Sequence, residues 1–558
     1  MGLGLLGLAL AAFFVMQAFA LLPHPADEGI YFYGAWRLSQ GTWPYRDFFH
    51  AHPPFHLLPT TLVFWLFGPS ELLARLPTCL GAAASGMAAF GITWRTLPDV
   101  RACVRAGAAV WATTSLLFSE SFLKASATDT GICQATGWLA LGAWLLTCGR
   151  PMAAGLAVAC APLTLLQAAP AAATLVLAAG LRGRQSLLRT ATAAGGLYTA
   201  VHLLAWGLVG SAFWQQVYGF HLDKVGTPGE GARQLGFVLF DNWTLFALAV
   251  AGAAAELARS GGSRALAALA GLSAGVTFAA MATRPRVFPF YFQPAFLPLA
   301  LLAGWGSARV AESLLSWWPL RRRPGARWPL RQALGPLLAA LALLGPLREP
   351  LRTWVSPRRS EQLATYAQTY GWQDAPGLGP LNALVRAAFW QSGVRVPGRE
   401  AHALTQYLWQ RSRWLDVQPQ LVSAVKAEAA RNPRTLLLGD STVAPAVAFA
   451  AGVRIPGDVV DTNVQRFRAG NLRLDEVFAL LEAEPHTLLL IGDSGGLGSL
   501  PALRAYAQQH YQPLQVFSTR TASRYTLWRR RPRGEPGYKR SRETWPRAAE
   551  NDINAASR

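Results

Sequence analysis

Pro25-Ala26-Asp27-Glu28-Gly29-Ile30-Tyr31 follows an uncharged apolar run from Gly2 to Leu22. It leads into Gly41-Thr42-Trp43-Pro44-Tyr45-Arg46-Asp47-Phe48-Phe49-His50-Ala51-His52-Pro53-Pro54-Phe55. The apolar run has the roughly 20 residues a helix needs to cross a bilayer. Ala18-Phe19-Ala20 resembles a leader-cleavage site, but no Lys or Arg precedes the run, so it reads as a retained helix. An acidic pair at the end of a span is a functional-site hypothesis by default. Three carboxylates (Asp27, Glu28, Asp47) and four of the nine histidines (His24, His50, His52, His56) fall within 33 residues. The plain alternative is a solvated loop whose Asp caps a helix. The density of titratable groups, with Tyr31, Tyr33, Trp36, Trp43 and Tyr45 among them, favours a site.

Outward from this loop, apolar runs recur to Leu347 and then stop. Spans are expected near 3–22, 72–94, 104–122, 129–148, 152–166, 167–181, 187–209, 238–257, 265–282, 288–308 and 332–347. The segments 152–166 and 167–181 are short for a bilayer and suggest half-helices or a kinked hairpin around Pro162 and Pro170. Pro53-Pro54 before Phe55–Phe67 suggests an amphipathic segment in the interface. The chain is 52% hydrophobic and 15% charged over 558 residues, which excludes a disordered protein and suits a polytopic membrane protein. The five cysteines all precede residue 161, so no disulfide framework holds the C-terminal part.

The net charge of +21 raises the question of nucleic acid, but its distribution answers otherwise. With the N-terminus inside, the block from Arg309 to Arg331 and Arg95, Arg101, Arg150, Arg182, Arg184, Arg189, Arg259 and Arg264 all fall on inner loops. That is the positive-inside pattern. It predicts a plasma (inner) membrane protein with a cytoplasmic N-terminus, no nucleic-acid partner, and residues 348–558 outside.

Residues 348–528 read as a soluble α/β domain and 529–558 as a disordered basic tail. Thr435-Leu436-Leu437-Leu438-Gly439-Asp440-Ser441 and Thr487-Leu488-Leu489-Leu490-Ile491-Gly492-Asp493-Ser494 suit central parallel strands ending in tight loops. Asp475–Leu481 and Leu500–Gln508 suit helices.

The Asp-Glu pair after the first span, the aromatic stretch, Tyr45-Arg46-Asp47-Phe48 and the Pro-Pro entering the membrane resemble the GT-C glycosyltransferases of family 39. These include protein O-mannosyltransferases and lipid A aminoarabinose transferases. The resemblance covers roughly residues 1–310. With the apolar runs, which give about eleven spans over residues 1–347, it makes that part a GT-C type helical membrane domain, and it implies inverting transfer of a sugar from a polyprenyl-phosphate donor at the outer face. The acceptor is left open. Asp27 maps to the catalytic base, and Glu28 is expected to orient the base or the acceptor. Tyr45, Arg46, Asp47, His50 and His52 are expected around the substrates. The aminoarabinose branch carries a Lys just before the Pro-Pro. This chain has His52, a weaker phosphate partner when neutral, so either the donor site differs or another cation serves.

Two more clusters lie on the expected outer side. Lys124 and Asp129 are candidates for donor phosphate and sugar hydroxyls, against a snorkelling Lys in an interface loop. Arg284 and Arg286, with Tyr291 entering the next span, are phosphate candidates against plain headgroup anchoring. His221, Asp223 and Lys224 are weaker acceptor-side candidates. No cofactor is assigned, and His50-Ala51-His52 alone is too weak a signal for a divalent metal.

Other readings predict other patterns. A transporter or flippase for lipid-linked saccharides should show repeats and midplane polar residues; the carboxylates gather instead at one boundary. A membrane-anchored hydrolase would use Ser441 or Ser494, but no partner histidine accompanies either Gly-Asp-Ser string.

Overall fold

The computed structural model describes residues 2–18, 27–119, 122, 125–126, 128–224, 226–259, 262–317, 417–493, 496–518 and 524–532. The expected span 332–347, Lys124, Ser494 and most of the expected tail lie outside these residues.

The membrane part is a helical bundle. Its elements are α1 (Gly2–Ala18), α2 (Glu28–Ser39), α3 (Leu58–Phe67), α4 (Leu76–Thr96), α5 (Ala102–Leu117), α6 (Ile132–Thr147), α7 (Pro151–Thr164), α8 (Ala169–Ala178), α9 (Arg184–Val209), α10 (Glu230–Asp241), α11 (Trp243–Leu257), α12 (Gly262–Ala282) and α13 (Phe296–Trp317). Among the described residues three helical stretches, Glu71–Thr96, Arg184–Val209 and Arg264–Ala282, are long and apolar enough to cross a membrane. A bent pair, α10 with α11, makes a fourth if counted as one span. Leu203 and Leu204 on α9 are 67% and 62% exposed, as lipid-facing residues should be.

Packing follows small residues. α4 runs along α6, and a Cβ on Gly81 would meet the Cys133 carbonyl oxygen at 2.5 Å. Gly137 faces back onto Gly81, so the two backbones touch without side chains between them.

Two expectations meet different outcomes. The short segments on either side of Leu165 are indeed separate helices, α7 and α8, joined through Leu166–Ala168 in a 3-10 turn. The run 238–257, expected as one span, is broken at Asn242 and bends by 84°. Asn242 Nδ2 donates to the Val238 carbonyl at 2.9 Å, which stops α10 before the apolar run can continue.

The described part of the C-terminal domain is α14 (Gln418–Arg431), β1 (Leu436–Gly439), α15 (Ala444–Ala451), α16 (Leu474–Ala483), β2 (Thr487–Gly492), α17 (Pro501–His510), β3 (Tyr511–Ser518) and β4 (Arg524–Arg530). The sheet order is β1-β2-β4-β3. β1 and β2 are parallel, with Leu436 opposite Thr487, while β4 joins antiparallel to both β2 and β3. The strands expected at both Gly-Asp-Ser strings are therefore present, but β1 is an edge strand. Its apolar run is explained by cover: Leu437 N–H bonds the Arg454 carbonyl at 3.0 Å, and the flanking helices bury Leu437 and Leu438. β4 continues through Arg530, two residues into the stretch expected to be a tail.

The domain is fastened to α2. Gly29 lies so close to α15 that a Cβ there would meet Ala446 N at 2.8 Å. Arg37 grips Asp458 with Nε at 3.0 Å and Nη2 at 3.1 Å. Tyr33 OH donates to Asp458 Oδ1 at 3.1 Å and accepts the Ile455 N–H at 2.7 Å. Gln418 Nε2 reaches Glu71 Oε1 at 2.7 Å. One hydrophobic core runs across the junction, from Ile30, Phe32 and Tyr33 to Leu437, Val447 and Leu490.

Candidate active site

The site begins at the start of α2. Glu28 in the first turn suits the positive end of the helix, and Gly41, at φ +86°, follows its last turn. Asp27 occupies the capping position, yet its side chain makes no cap hydrogen bond. The alternative of an ordinary capping Asp therefore fails.

Asp27 faces a cavity that it shares with Tyr31, His50, His52, Lys224, Arg286 and Tyr291. Phe49, Phe220 and Phe288 add aromatic walls. The remaining wall comes from the C-terminal domain: Asp461, Asn463 and Gln465. Their loop lies beyond the C-terminal end of β1, where Thr462 Oγ1 donates to the Gly439 carbonyl at 2.7 Å. In α/β sheets, ligands collect outside the carboxyl ends of parallel strands. Arg466 stiffens the loop, with Nη1 at 2.6 Å from the Asp461 carbonyl and its guanidinium 3.9 Å over Phe49.

The charges are balanced across this space. Removal from bulk water pushes the Asp27 carboxyl up to about 6; Asp461 adds to the shift, and Lys224 and Arg286 oppose it. Burial and the neighbouring Arg286 bring Lys224 down to about 8, opposed by Asp27 and Asp461. A carboxylate near 6 beside a cation near 8 is the condition general acid–base chemistry needs at neutral pH.

The histidines form one cluster. His52 stacks on His56 at 4.5 Å, His221 lies 5.6 Å from His52, and His50 lies 5.4 Å from His56. Tyr31 OH and His52 Nε2 are 2.9 Å apart. Burial lowers all four rings, His56 to about 4 and His221 to about 3, so they are neutral at pH 7. A neutral His52 brings no positive charge to the cavity. Lys224, named from the sequence only as an acceptor-side candidate, lines the same cavity as His52. Among the described residues no three of His, Cys, Asp and Glu are placed to hold a metal ion.

Of the other sequence candidates, several do not line the cavity. Glu28 is buried and ion-paired to Arg75, with Nη2–Oε1 at 2.5 Å and Nε–Oε2 at 3.2 Å. Asp129 accepts Thr78 Oγ1 at 2.8 Å, Gln134 Nε2 at 2.8 Å and Thr60 Oγ1 at 3.4 Å, and does not line the cavity. Tyr45 sits behind the wall in a left-handed conformation, φ +68°, and donates to the His52 carbonyl at 2.6 Å. Arg46 and Asp47 bind each other at 2.9 Å on the exposed tip of that turn. Arg284 is exposed, whereas Arg286 turns into the cavity.

The first Gly-Asp-Ser string is structural in its contacts. Asp440 accepts N–H groups from Gly492 at 2.8 Å, Leu497 at 2.5 Å and Gly498 at 3.3 Å. It clips two strand ends together, and Ser441 is buried beside it.

These features give the chain a GT-C type fold, a helical membrane part with a C-terminal α/β domain. The chain is similar to ArnT from Cupriavidus metallidurans bound to undecaprenyl phosphate, with 16% identity and a TM-score of 0.55 over 94% of this chain and 97% of that one. The apo form of the same protein gives 17%, a TM-score of 0.54, and coverage of 94% and 98%. No family model and no curated relative matches the sequence.

Proposed function

We propose that this chain is an inverting glycosyltransferase that moves a sugar from a polyprenyl-phosphate donor to an acceptor hydroxyl. The observation that carries the reading is Asp27: a carboxylate free of helix capping, beside Lys224 and Arg286, in a cavity closed by Asp461, Asn463 and Gln465. The shared fold with a protein solved with undecaprenyl phosphate supports the donor class. In the proposed step, Asp27 takes the proton from the acceptor hydroxyl as its oxygen attacks the anomeric carbon. The bond from that carbon to the phosphate oxygen breaks, and polyprenyl phosphate leaves with the electron pair. Lys224 and Arg286 stabilise the charge on the departing phosphate. Phe49, Phe220 and Phe288 supply apolar faces for the sugar or for the first units of the lipid.

The reading places the cavity and the C-terminal domain on the outer face of the plasma membrane. Their direct contact supports a shared side, since a soluble domain that packs on α2 cannot lie across the bilayer from it. The test is Asp27→Asn, assayed in membranes for transfer from a polyprenyl-phosphate sugar. Loss of transfer at normal expression is expected; retained transfer ends the proposal.

A further inference from the structure

We propose that the opposite end of the bundle holds an anionic phospholipid, with one acyl chain in an apolar cavity and its phosphate on Arg95 and Arg182. The cavity measures about 510 Å³ and lies between α4, α6, α8, α12 and α13. That volume is in the range of ligand pockets. Its walls are largely aliphatic, with Leu139, Leu175, Leu269 and Leu301 among them. Where hydroxyls do reach the wall they are occupied: Thr174 Oγ1 donates to Ser273 at 2.9 Å.

The position follows from α6. Its first turn lies beside the candidate active site, because a Cβ on the preceding Gly131 would strike the His56 ring at 2.5 Å. Sixteen residues later, roughly 24 Å along the axis, α6 ends at Thr147. Two guanidiniums converge there. Arg182 Nη2 donates to the Thr147 carbonyl at 2.9 Å, and Arg95 Nη1 lies 3.5 Å from Cys148 Sγ. Arg95 also lies over Trp144.

Neutralising the carbonyl end of α6 is an ordinary task for an arginine. It does not account for what remains. Each guanidinium carries five N–H donors, and each spends one here on α6. Arg95 and Arg182 are the cavity's charged lining residues, and both are cations. A half-open apolar space with two exposed cations at its mouth has the chemistry of a lipid tail followed by a phosphate. Basic pockets between membrane helices on the cytoplasmic side favour anionic headgroups, and Arg matches phosphate bidentately.

Native mass spectrometry of the full-length protein tests this with dioleoyl phosphatidylglycerol and dioleoyl phosphatidylcholine. The wild type is expected to retain phosphatidylglycerol on the order of tenfold better. Arg95→Gln with Arg182→Gln should erase that preference. Equal retention by the wild type, or an unchanged preference in the double variant, overturns the proposal. So does displacement of phosphatidylglycerol by equimolar polyprenyl phosphate, because the cavity then belongs to the donor's tail. Should the double variant fail to fold, Leu269→Trp fills the cavity and keeps both arginines. It is expected to lose phosphatidylglycerol, and retention by it equally overturns the proposal.

Discussion

Two sets of carboxylates lie side by side at one end of the bundle and have opposite surroundings. Asp27 and Asp461 face a cavity together with Lys224 and Arg286. Glu28 and Asp129 are adjacent to each other but are enclosed by protein partners: Arg75 for one, Thr60, Thr78 and Gln134 for the other. A buried carboxylate with its lone pairs occupied has nothing left to offer a substrate. One that faces open space, with cations opposite, does. Neighbouring acids in one motif thus divide into one that faces the cavity and one that is paired within the protein.

The largest expected effect tests that division directly. Asp27→Asn should reduce transfer on the order of a hundred- to ten-thousandfold, with no loss of stability at pH 7. The sign follows from the raised carboxyl: the folded state favours the protonated form, so that contribution is lost as pH rises from 3.8 through about 6. A neutral Asn removes the penalty, and the melting temperature should match or exceed the wild type. Arg75→Ala should do the reverse, costing about 3–5 kcal/mol by leaving Glu28 buried and unpaired. Its defect should appear in melting temperature and yield rather than in turnover by the folded fraction. Equal melting temperatures for these two variants would erase the distinction.

Lys224→Ala comes next. Loss of one charged contact to phosphate should lower kcat/KM roughly ten- to hundredfold, and Lys224→Arg should restore part of it. If Lys224→Ala transfers normally, the cation replacing the missing lysine lies elsewhere.

A subtler effect is expected in the pH profile. For the free enzyme, kcat/KM should rise as Asp27 ionises near pH 6 and fall as Lys224 loses its proton near pH 8. Asp461→Asn removes a negative neighbour that raises both groups, so both limbs should move to lower pH. An acid limb that stays in place would remove Asp461 from the electrostatics of the site. The smallest effect belongs to Arg46→Ala. Its partner Asp47 is exposed, so stability should change by less than about 1 kcal/mol, and transfer should stay at the wild-type level. A large drop in transfer would mean that the turn folds over the substrate.

The sequence made Asp27 legible because an acidic pair directly after an apolar run is costly without a purpose. The resemblance gave Asp27 and Glu28 different roles, but nothing in the sequence pairs Glu28 with Arg75. Successive residues entering a helix point about 100° apart, and only the position of Arg75 decides which of the two is neutralised. The parallel strands were legible from two apolar runs that end in Gly-Asp-Ser. The edge position of β1 was not, since the Arg454 segment that covers it carries no strand pattern. The contribution of Asp461, Asn463 and Gln465 was hidden for a different reason: it depends on docking of α15 against Gly29, a contact between distant parts of the chain. Lys224 was visible as a residue but stood in a loop with no motif around it.

The clasp between Tyr33 and Asp458 joins positions 425 apart. Synthesis runs from the N-terminus, so the membrane helices and Asp27 exist long before the loop that walls the cavity. Contacts of such sequence separation form late in folding. A nascent or truncated chain therefore carries Asp27 in a groove that lacks the wall of Asp461, Asn463 and Gln465. Under the proposed function, a chain cut short before residue 458 should enter the membrane yet fail to transfer sugar.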